Sequence, residues 1–305
     1  MKGAGSRDSV SVAYGALWIS PWAIGFLVFM LAPALMSLYY SFTDYSLLET
    51  PVWVGWANFR ELLGDTMFRT AVGNTLYFAF VSVVLGAMVS VGVAAMLEQR
   101  VRGASLVRAV VFLPTLVPVI SACVCWGWLF NSELGLFNAV LRPLGPVLAR
   151  VGVESWPPNW LGSPRLAMPS FIFMSLWTIG SAAVIYSAAL KGVPRSLYEA
   201  ADLDGATGLR RFASVTLPMI SPAVLFNGLM SLIWSLQVFA PPQIMTRGGP
   251  ENSTLVYSMY VYMNAFIYGR MGYASALAWI QVIATLVLTL VLLGMARRVV
   301  YYRAA

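Results

Sequence analysis

A chain of 305 residues that is 59% hydrophobic and only 10% charged, with a mean hydropathy of +0.76, is too apolar for a water-soluble domain, in which about a quarter of residues carry charge. Its nineteen basic and twelve acidic residues give a net charge of +7 without a single histidine, so the commonest general base and metal ligand is missing. The composition predicts a polytopic membrane protein, and stretches of this length predict helices, because only helices satisfy their own backbone in lipid.

In chain order, a tail of residues 1–13 without an apolar core and small-residue cleavage site, hence no apparent removable signal peptide, leads into a first span at about 14–40. The outer segment 41–69 follows, with the aromatic stretch VWVGWANF, and then a second span at 70–97 in which Gly86, Ser90 and Ala94 recur every four positions and permit close helix contact. The third span, 109–130, holds Pro114 and Pro118 and both cysteines; Cys123 and Cys125, two apart, point to different helix faces and read as buried small apolar residues. The outer segment 131–165, with SWPPNW, precedes a fourth span at 166–190, a charged loop at about 191–218, a fifth span at 212–245, an outer segment 246–270, a sixth span at 271–296 and a tail of residues 297–305. The outer aromatics suit either interfacial anchoring or a docking surface. Prolines 21, 33, 114, 118, 169 and 222 and the Pro241–Pro242 pair predict kinked or interrupted helices.

Orientation follows from the basic residues. Lys2, Arg7, Arg100, Arg102, Arg108, Lys191, Arg195, Arg210, Arg211, Arg297, Arg298 and Arg303 fall on one side, twelve of nineteen, against five of the twelve acidic residues. That side is therefore expected to be cytoplasmic, with both termini inside, and the excess reads as topology and anionic-lipid contact rather than nucleic-acid binding. The six spans contain no ionisable Asp, Glu, Lys or Arg, and the chain has neither a GxxxxGK[ST] phosphate loop nor a cysteine cluster. An enzyme needs an acid/base pair, a metal or an activated nucleophile, and an ion-coupled carrier usually places a charge at the midplane. Neither is visible, so the expected solute is neutral or has its charge handled elsewhere, a sugar-like solute such as an oligosaccharide, a polyol or a glycerophospho-compound, and the driving energy is expected from another subunit. A passive facilitator shares these features but leaves the charged loop without a purpose.

That loop contains LYEAADLDGATGLRRFASVTLP, residues 197–218. Ser196 as N-cap with Glu199 three residues on predicts a capping box, Gly205 suits a left-handed helix end, and a second short helix is expected from Thr207 to Thr216 before Leu217–Pro218 enters the fifth span. Ala200 and Ala201 give the first helix a slim face suited to a groove in another protein.

The pattern E-A-A-x3-G-x9-V-x-L-P, here Glu199, Ala200, Ala201, Gly205, Val215, Leu217 and Pro218, resembles the EAA loop of permease subunits of bacterial ABC importers, with Val215 standing where Ile is usual. The stretch VPRSLYEAADLDGATGLRRFASVTLPMISP is most similar to carbohydrate-importer permeases of the maltose and glycerol-3-phosphate type, and SPWAIGFLVFMLAPALMSLYYSFTDY, VGWANFREL, GLFNAVL and TRGGPENSTLVYSMYVYMNAF extend the resemblance over nearly the whole chain. It implies an all-α membrane protein with the six-transmembrane-helix bundle of a type I ABC importer permease. It also implies that the loop is a coupling helix docking in a cytoplasmic ATPase, with Glu199, Ala200, Ala201, Asp202, Gly205, Leu217 and Pro218 as the coupling residues. The chain itself would bind no cofactor; ATP and Mg belong to a homodimeric ATPase subunit. The other implied partners are a second, unlike permease, an extracytoplasmic solute-binding protein that docks on the outer loops, and the lipid bilayer. Alternating access driven by ATP is the implied mechanism.

A sugar or polyol site needs hydrogen-bonding side chains and a flat aromatic surface. On the fifth span Asn227, Ser231, Trp234 and Ser235 follow approximate helical spacing, with Gln237 off that stripe; the fourth span adds Trp177, Thr178 and Ser181, and the sixth adds Gln281. Singly each polar residue serves equally as interhelical glue; together they suit a substrate pathway.

Overall fold

The computed structural model describes residues 5–98, 103–145 and 156–299, so the expectations for Lys2, Arg100, Arg102, Arg150, Arg303 and the ends of both tails lie outside the described residues. The chain divides into two units: one formed by the residues up to Asp65 together with Val261–Val282, the other by Thr66–Tyr260 with the residues from Ile283 onward.

In the first unit, α1 (Gly5–Phe26) passes through a widened π-helical turn, Leu27–Leu31, into α2 (Ala32–Tyr40). Residues Leu17–Tyr40 form one apolar helix of 24 residues, about 36 Å long and sufficient to span a hydrocarbon core. Pro33 lies just after the widened turn, where its missing N–H frees a carbonyl of the preceding turn. Beyond α2, β1 (Thr43–Asp44) pairs antiparallel with β2 (Val52–Trp53), and α3 (Ala57–Gly64) is fixed beneath them by Asn58, whose amide donates to the Ser41 and Thr43 carbonyls at 2.9 Å each. Arg270 grips both carboxylate oxygens of Glu61 at 2.7 and 2.6 Å and stacks 4.5 Å above the Tyr273 ring, whose hydroxyl donates to Asp65. The VWVGWANF aromatics remain open, with Trp53 and Trp56 exposed around Phe42.

The second unit is built on α4 (Thr66–Leu97), an unbroken helix of 32 residues that starts four residues before the expected span. The expected third span is not one straight helix. It is α5 (Ala104–Phe112), tightened through Leu113–Leu116, then α6 (Val119–Leu129) at 101° to it. Pro118 causes the break: it offers no N–H to continue the ladder and forces Val117 before it into an extended conformation, φ −76° and ψ 125°. After α7 (Leu136–Leu141), the fourth span is likewise two pieces, α8 (Ala167–Ser175) and α9 (Gly180–Lys191), bent by 50°. Here the pivot is Gly180, because a Cβ at that position would collide with the carbonyl oxygen of Val111 and come within 2.8 Å of the Phe112 Cα. Only glycine lets α9 lie this close to α5.

The loop helices α10 (Arg195–Leu203) and α11 (Gly208–Arg211) lead through a π-helical turn, Phe212–Thr216, into α12 (Leu217–Leu236). The fifth span therefore stops at Leu236 rather than reaching 245: the ladder ends at Gln237, and Pro241–Pro242 keep it from resuming as a regular helix. Pro222 sits inside α12 without breaking it. After α13 (Tyr257–Tyr262), α14 (Met271–Val299) contains the sixth apolar segment, Met271–Ala296. Among the described residues four helices are thus long and apolar enough to cross a membrane, and up to six if each bent pair is one span. Cys123 is buried and Cys125 exposed, both as free thiols, so the two faces differ as the spacing predicts but only one cysteine is a core residue.

Candidate functional site: a polar cavity and the loop below it

The loop folds as a helix, a sharp turn and a second helix, but its start differs from the expected capping box. Pro194, extended at ψ 134°, occupies the N-cap position, so the helix begins at Arg195, Ser196 falls inside its first turn, and no side chain caps it. A proline preset at φ −61° supplies the helix entry that the sequence pattern assigned to Ser196 and Glu199. Glu199 is left exposed, with no ion pair among the described residues. The other end matches expectation. Gly205 has φ +72°, the Ala206 amide donates to the Ala201 carbonyl at 2.8 Å, and the Gly205 amide donates to Asp202 at 3.1 Å, the paired bonds that close a helix through a left-handed glycine.

This turn decides which side chains the loop presents. Ala201 and Ala206 are buried inside the chain, so Ala201 is part of the turn's own core and not of the exposed face expected of it; Ala200 stays exposed. In its place the structure shows two leucines that the sequence pattern did not single out, Leu203 at 90% exposure and Leu209 at 86%, flanking the turn. Asp202 is occupied by Arg211 at 2.8 Å, and the same guanidinium lies 5.8 Å from the Tyr198 ring centre, while the Tyr198 and Thr216 hydroxyls are 3.1 Å apart. The two loop helices are therefore bolted together as one rigid piece. Leu217 and Pro218 form the first turn of α12, Leu217 exposed and Pro218 half-buried.

Above the loop, α4, α6, α8, α9 and α12 surround a cavity of about 660 Å³. Ser231, Trp234, Ser235 and Gln237 line it from α12 and its end, Trp177, Thr178 and Ser181 from the bent fourth span; Ser82 and Ser175, not singled out from the sequence, join them, as do Gly86 and Ser90, expected there only as small residues for helix contact. One expected residue of this unit is not in the lining. Asn227 is buried, its amide spent on the Ala223 carbonyl at 3.0 Å, because one step along the helix from Gly228 turns it away from the opening. Gln281 belongs to the first unit. The two tryptophans differ as well: Trp177 makes an edge-on contact with Trp126 at 5.9 Å, whereas Trp234 is 75% exposed on the cavity wall.

The lining contains no Asp, Glu, Lys or Arg among the described residues. Four of its hydroxyls bond to their own helices. Ser90 donates to the Gly86 carbonyl at 2.6 Å, Ser175 to Ile172 at 2.6 Å, Thr178 to Ser175 at 3.0 Å and Ser235 to Ser231 at 2.7 Å. These four turn their protons back into their own helix and offer the cavity acceptor capacity, the Ser82 and Ser235 hydroxyls stand 3.3 Å apart across two helices, and Ser181 and Ser231 add hydroxyls that both donate and accept. Such a wall suits a solute rich in O–H donors and is unfavourable to an anion, which would meet acceptors without a compensating cation. Among the described residues no group of three or more His, Cys, Asp or Glu side chains is placed to hold a metal.

The sequence profile of the binding-protein-dependent transport system inner membrane components matches residues 103–300, which takes in α5 through α14 and the whole loop. The chain belongs to that family. Members are integral membrane transport subunits, not catalytic ones, and this one is 34% identical over 294 residues to a probable ABC transporter permease of Bacillus subtilis, covering 95% of this chain and 92% of that protein. It is 31% identical over 285 residues to the trehalose/maltose permease of Thermococcus litoralis (93% of each chain) and 33% identical over 293 residues to the lactose permease of Rhizobium radiobacter (93% and 95%). Its fold is similar to that of a chain of a bacterial alginate importer, with a TM-score of 0.79 over 97% of this chain and 98% of that one at 24% identity.

Proposed function

We propose that this permease carries a neutral sugar or polyol into the cell, received from an extracytoplasmic binding protein and passed through the cavity by alternating access. The observation that carries this reading is the hydroxyl-rich lining, free of Asp, Glu, Lys and Arg among the described residues, with an open tryptophan: the hydroxyls meet the sugar O–H groups, and Trp234 offers a flat surface to the C–H face of a ring. The relatives named for trehalose/maltose and lactose support a sugar; the uncharged lining separates this chain from an acidic polysaccharide such as alginate. The exposed face of the loop, Glu199, Ala200, Leu203 and Leu209, docks on a cytoplasmic ATPase that holds the ATP and Mg, and the chain pairs with a second, unlike permease. Both termini and the loop then lie in the cytoplasm, in keeping with the basic excess on that side.

The test is purification of the tagged chain from its native membrane in mild detergent, with identification of co-purifying subunits, followed by uptake in proteoliposomes. An ATPase and a second permease co-purify with the parent, and Glu199→Lys loses the ATPase. Trp234→Ala lowers ATP-dependent sugar uptake by at least about tenfold while Trp177→Phe lowers it less, since one stacking surface is worth on the order of 1–2 kcal/mol. A chain that purifies only with itself overturns the reading.

A further inference from the structure

Glycine inside a helix is less favourable than alanine, so a helical glycine asks for a reason, usually a positive φ or a neighbour too close for a Cβ. Gly180 has the second reason. Gly86 on α4 and Gly228 on α12 have neither: both are half-buried, neither has a positive φ, and a Cβ on either meets no atom within 4 Å. They are also the two glycines of the cavity lining among the described residues. The spacing of Gly86, Ser90 and Ala94 pointed to a helix contact at Gly86, and the structure leaves open space there instead.

The two glycines widen the same stretch of the cavity. α4 and α12 run antiparallel: the Ser82 and Ser235 hydroxyls stand 3.3 Å apart, and toward the loop Val91 and Ala94 share a cluster with Ile220. One turn from the serine pair toward the loop, Gly86 comes level with Ser231, and about one turn further Ser90 comes level with Gly228. From Gly86 onward these two helices line the cavity with Gly86, Ala87, Ser90, Gly228 and Ser231, none larger than serine. The result is a bay in the wall, bordered by hydroxyls and open at its centre. Measured along α12 from Trp234, the bay runs from Ser231 at about 5 Å to Gly228 at about 9 Å, the rise of three and six helical residues.

We propose that Gly86 and Gly228 are specificity-determining residues: the space their missing side chains leave is a bay for a second sugar ring, and the permease takes a disaccharide in preference to a monosaccharide or a linear polyol. One ring rests on Trp234. The ring linked to it lies one stride along the wall, where its edge enters the bay and its hydroxyls meet Ser90 and Ser231. A single ring leaves the bay to water and forgoes those contacts, so it is held less well. The cavity, about 660 Å³, has the volume of pockets that enclose solutes of this size. The proposal rests on the sugar reading and adds to it the size of the solute.

The experiment uses the assembled transporter in detergent, with Cys123 and Cys125 replaced by alanine and one cysteine introduced as Gly86→Cys, Gly228→Cys or, beside Trp234, Ser235→Cys. A hydrophilic maleimide labels all three. Maltose, trehalose or lactose, at a concentration that protects Ser235→Cys, slows labelling of both glycine-site thiols at least about fivefold; glucose and sorbitol, matched for protection of Ser235→Cys, leave it within about twofold. Equal slowing by glucose and the disaccharides overturns the second ring. Protection of Ser235→Cys alone, by every sugar, overturns the bay and leaves the sugar reading standing; protection of none of the three overturns the sugar reading and the proposal with it. Glycine-site thiols that label in the chain alone and are shielded in the assembled transporter also overturn the bay, because a partner helix then fills the space. Gly86→Ala and Gly228→Ala keep assembly and melting temperature, and loss of assembly in either overturns the open space. Gly86→Leu and Gly228→Leu each lower uptake of the protecting disaccharide by at least about tenfold, and undiminished uptake in both overturns the proposal. Gly92→Leu, on α4 with equally open space outside the lining, leaves uptake unchanged. If a leucine variant fails to assemble, the protection pattern decides.

Discussion

The two ends of the cavity are packed by different means. At the end away from the loop, Trp126, Phe130, Phe137, Trp160 and Trp177 form an aromatic cluster in tilted and edge-on contacts of 5.3 to 6.3 Å between ring centres. It is pinned by the fully buried Asn138, which donates to the Ser132 and Pro158 carbonyls at 2.9 and 3.0 Å and accepts from the Trp160 indole at 2.8 Å. The loop end is made of small and branched aliphatic residues around one tyrosine, and its polar groups stand outside the apolar layer as the Glu98 collar. Rings locked by directional bonds hold one arrangement; aliphatic groups without such bonds tolerate several. The far end is therefore the fixed wall of the cavity and the loop end the adjustable one.

That contrast can be broken most severely at Trp126. Replacement by alanine removes the ring that four others touch and is expected to cost about 3–5 kcal/mol, seen as a large loss of thermal stability in detergent. Asn138→Ala leaves two carbonyls and an indole N–H without their partner, at about 2–3 kcal/mol, again read as thermal unfolding. At the loop end the effects are smaller. Glu98→Gln weakens the half-buried collar by about 1 kcal/mol and should quicken the exchange of amides at the ends of α4 and α9 more than it lowers the melting temperature. Asp202→Asn, which loosens an exposed pair, should leave the stability within about 0.5 kcal/mol of the parent while reducing the coupling of hydrolysis to uptake. If the loop-end variants proved as destabilising as the aromatic ones, the division into fixed and adjustable ends would fall.

Much of this was legible in the sequence because it rests on strong local rules. Long charge-free runs announced α4 and α14, and Gly205 the left-handed turn. The break at Val117–Pro118 follows from proline, yet its 101° angle does not, since that depends on what α5 and α6 pack against. Ser196 and Glu199 matched a capping pattern that Pro194 overrode, two residues before Ser196. Ala201 and Ala200 are equivalent letters in the motif and opposite in fate, because the closing bond from Ala206 turns one inward. The apolar cluster at the loop end was illegible for a different reason: Val91, Val193 and Ile220 are ordinary apolar residues in apolar surroundings, and only the fold brings them together around Tyr186. Asn227 was misjudged by a single step of helical rotation, too fine a distinction for spacing alone.

The wall hydroxyls have a kinetic consequence. Ser231 and Ser235 on one helix, and Ser82 and Ser90 on another, stand one and two turns apart, at intervals of about 6 and about 12 Å along their axes. For a polyhydroxylated guest in the proposed reading, each step along these helices exchanges one set of oxygens for a nearly identical set, and the open ring of Trp234 makes the place beside it the deepest. The hydroxyls then steer a guest along the wall, and the ring of Trp234 sets where it pauses.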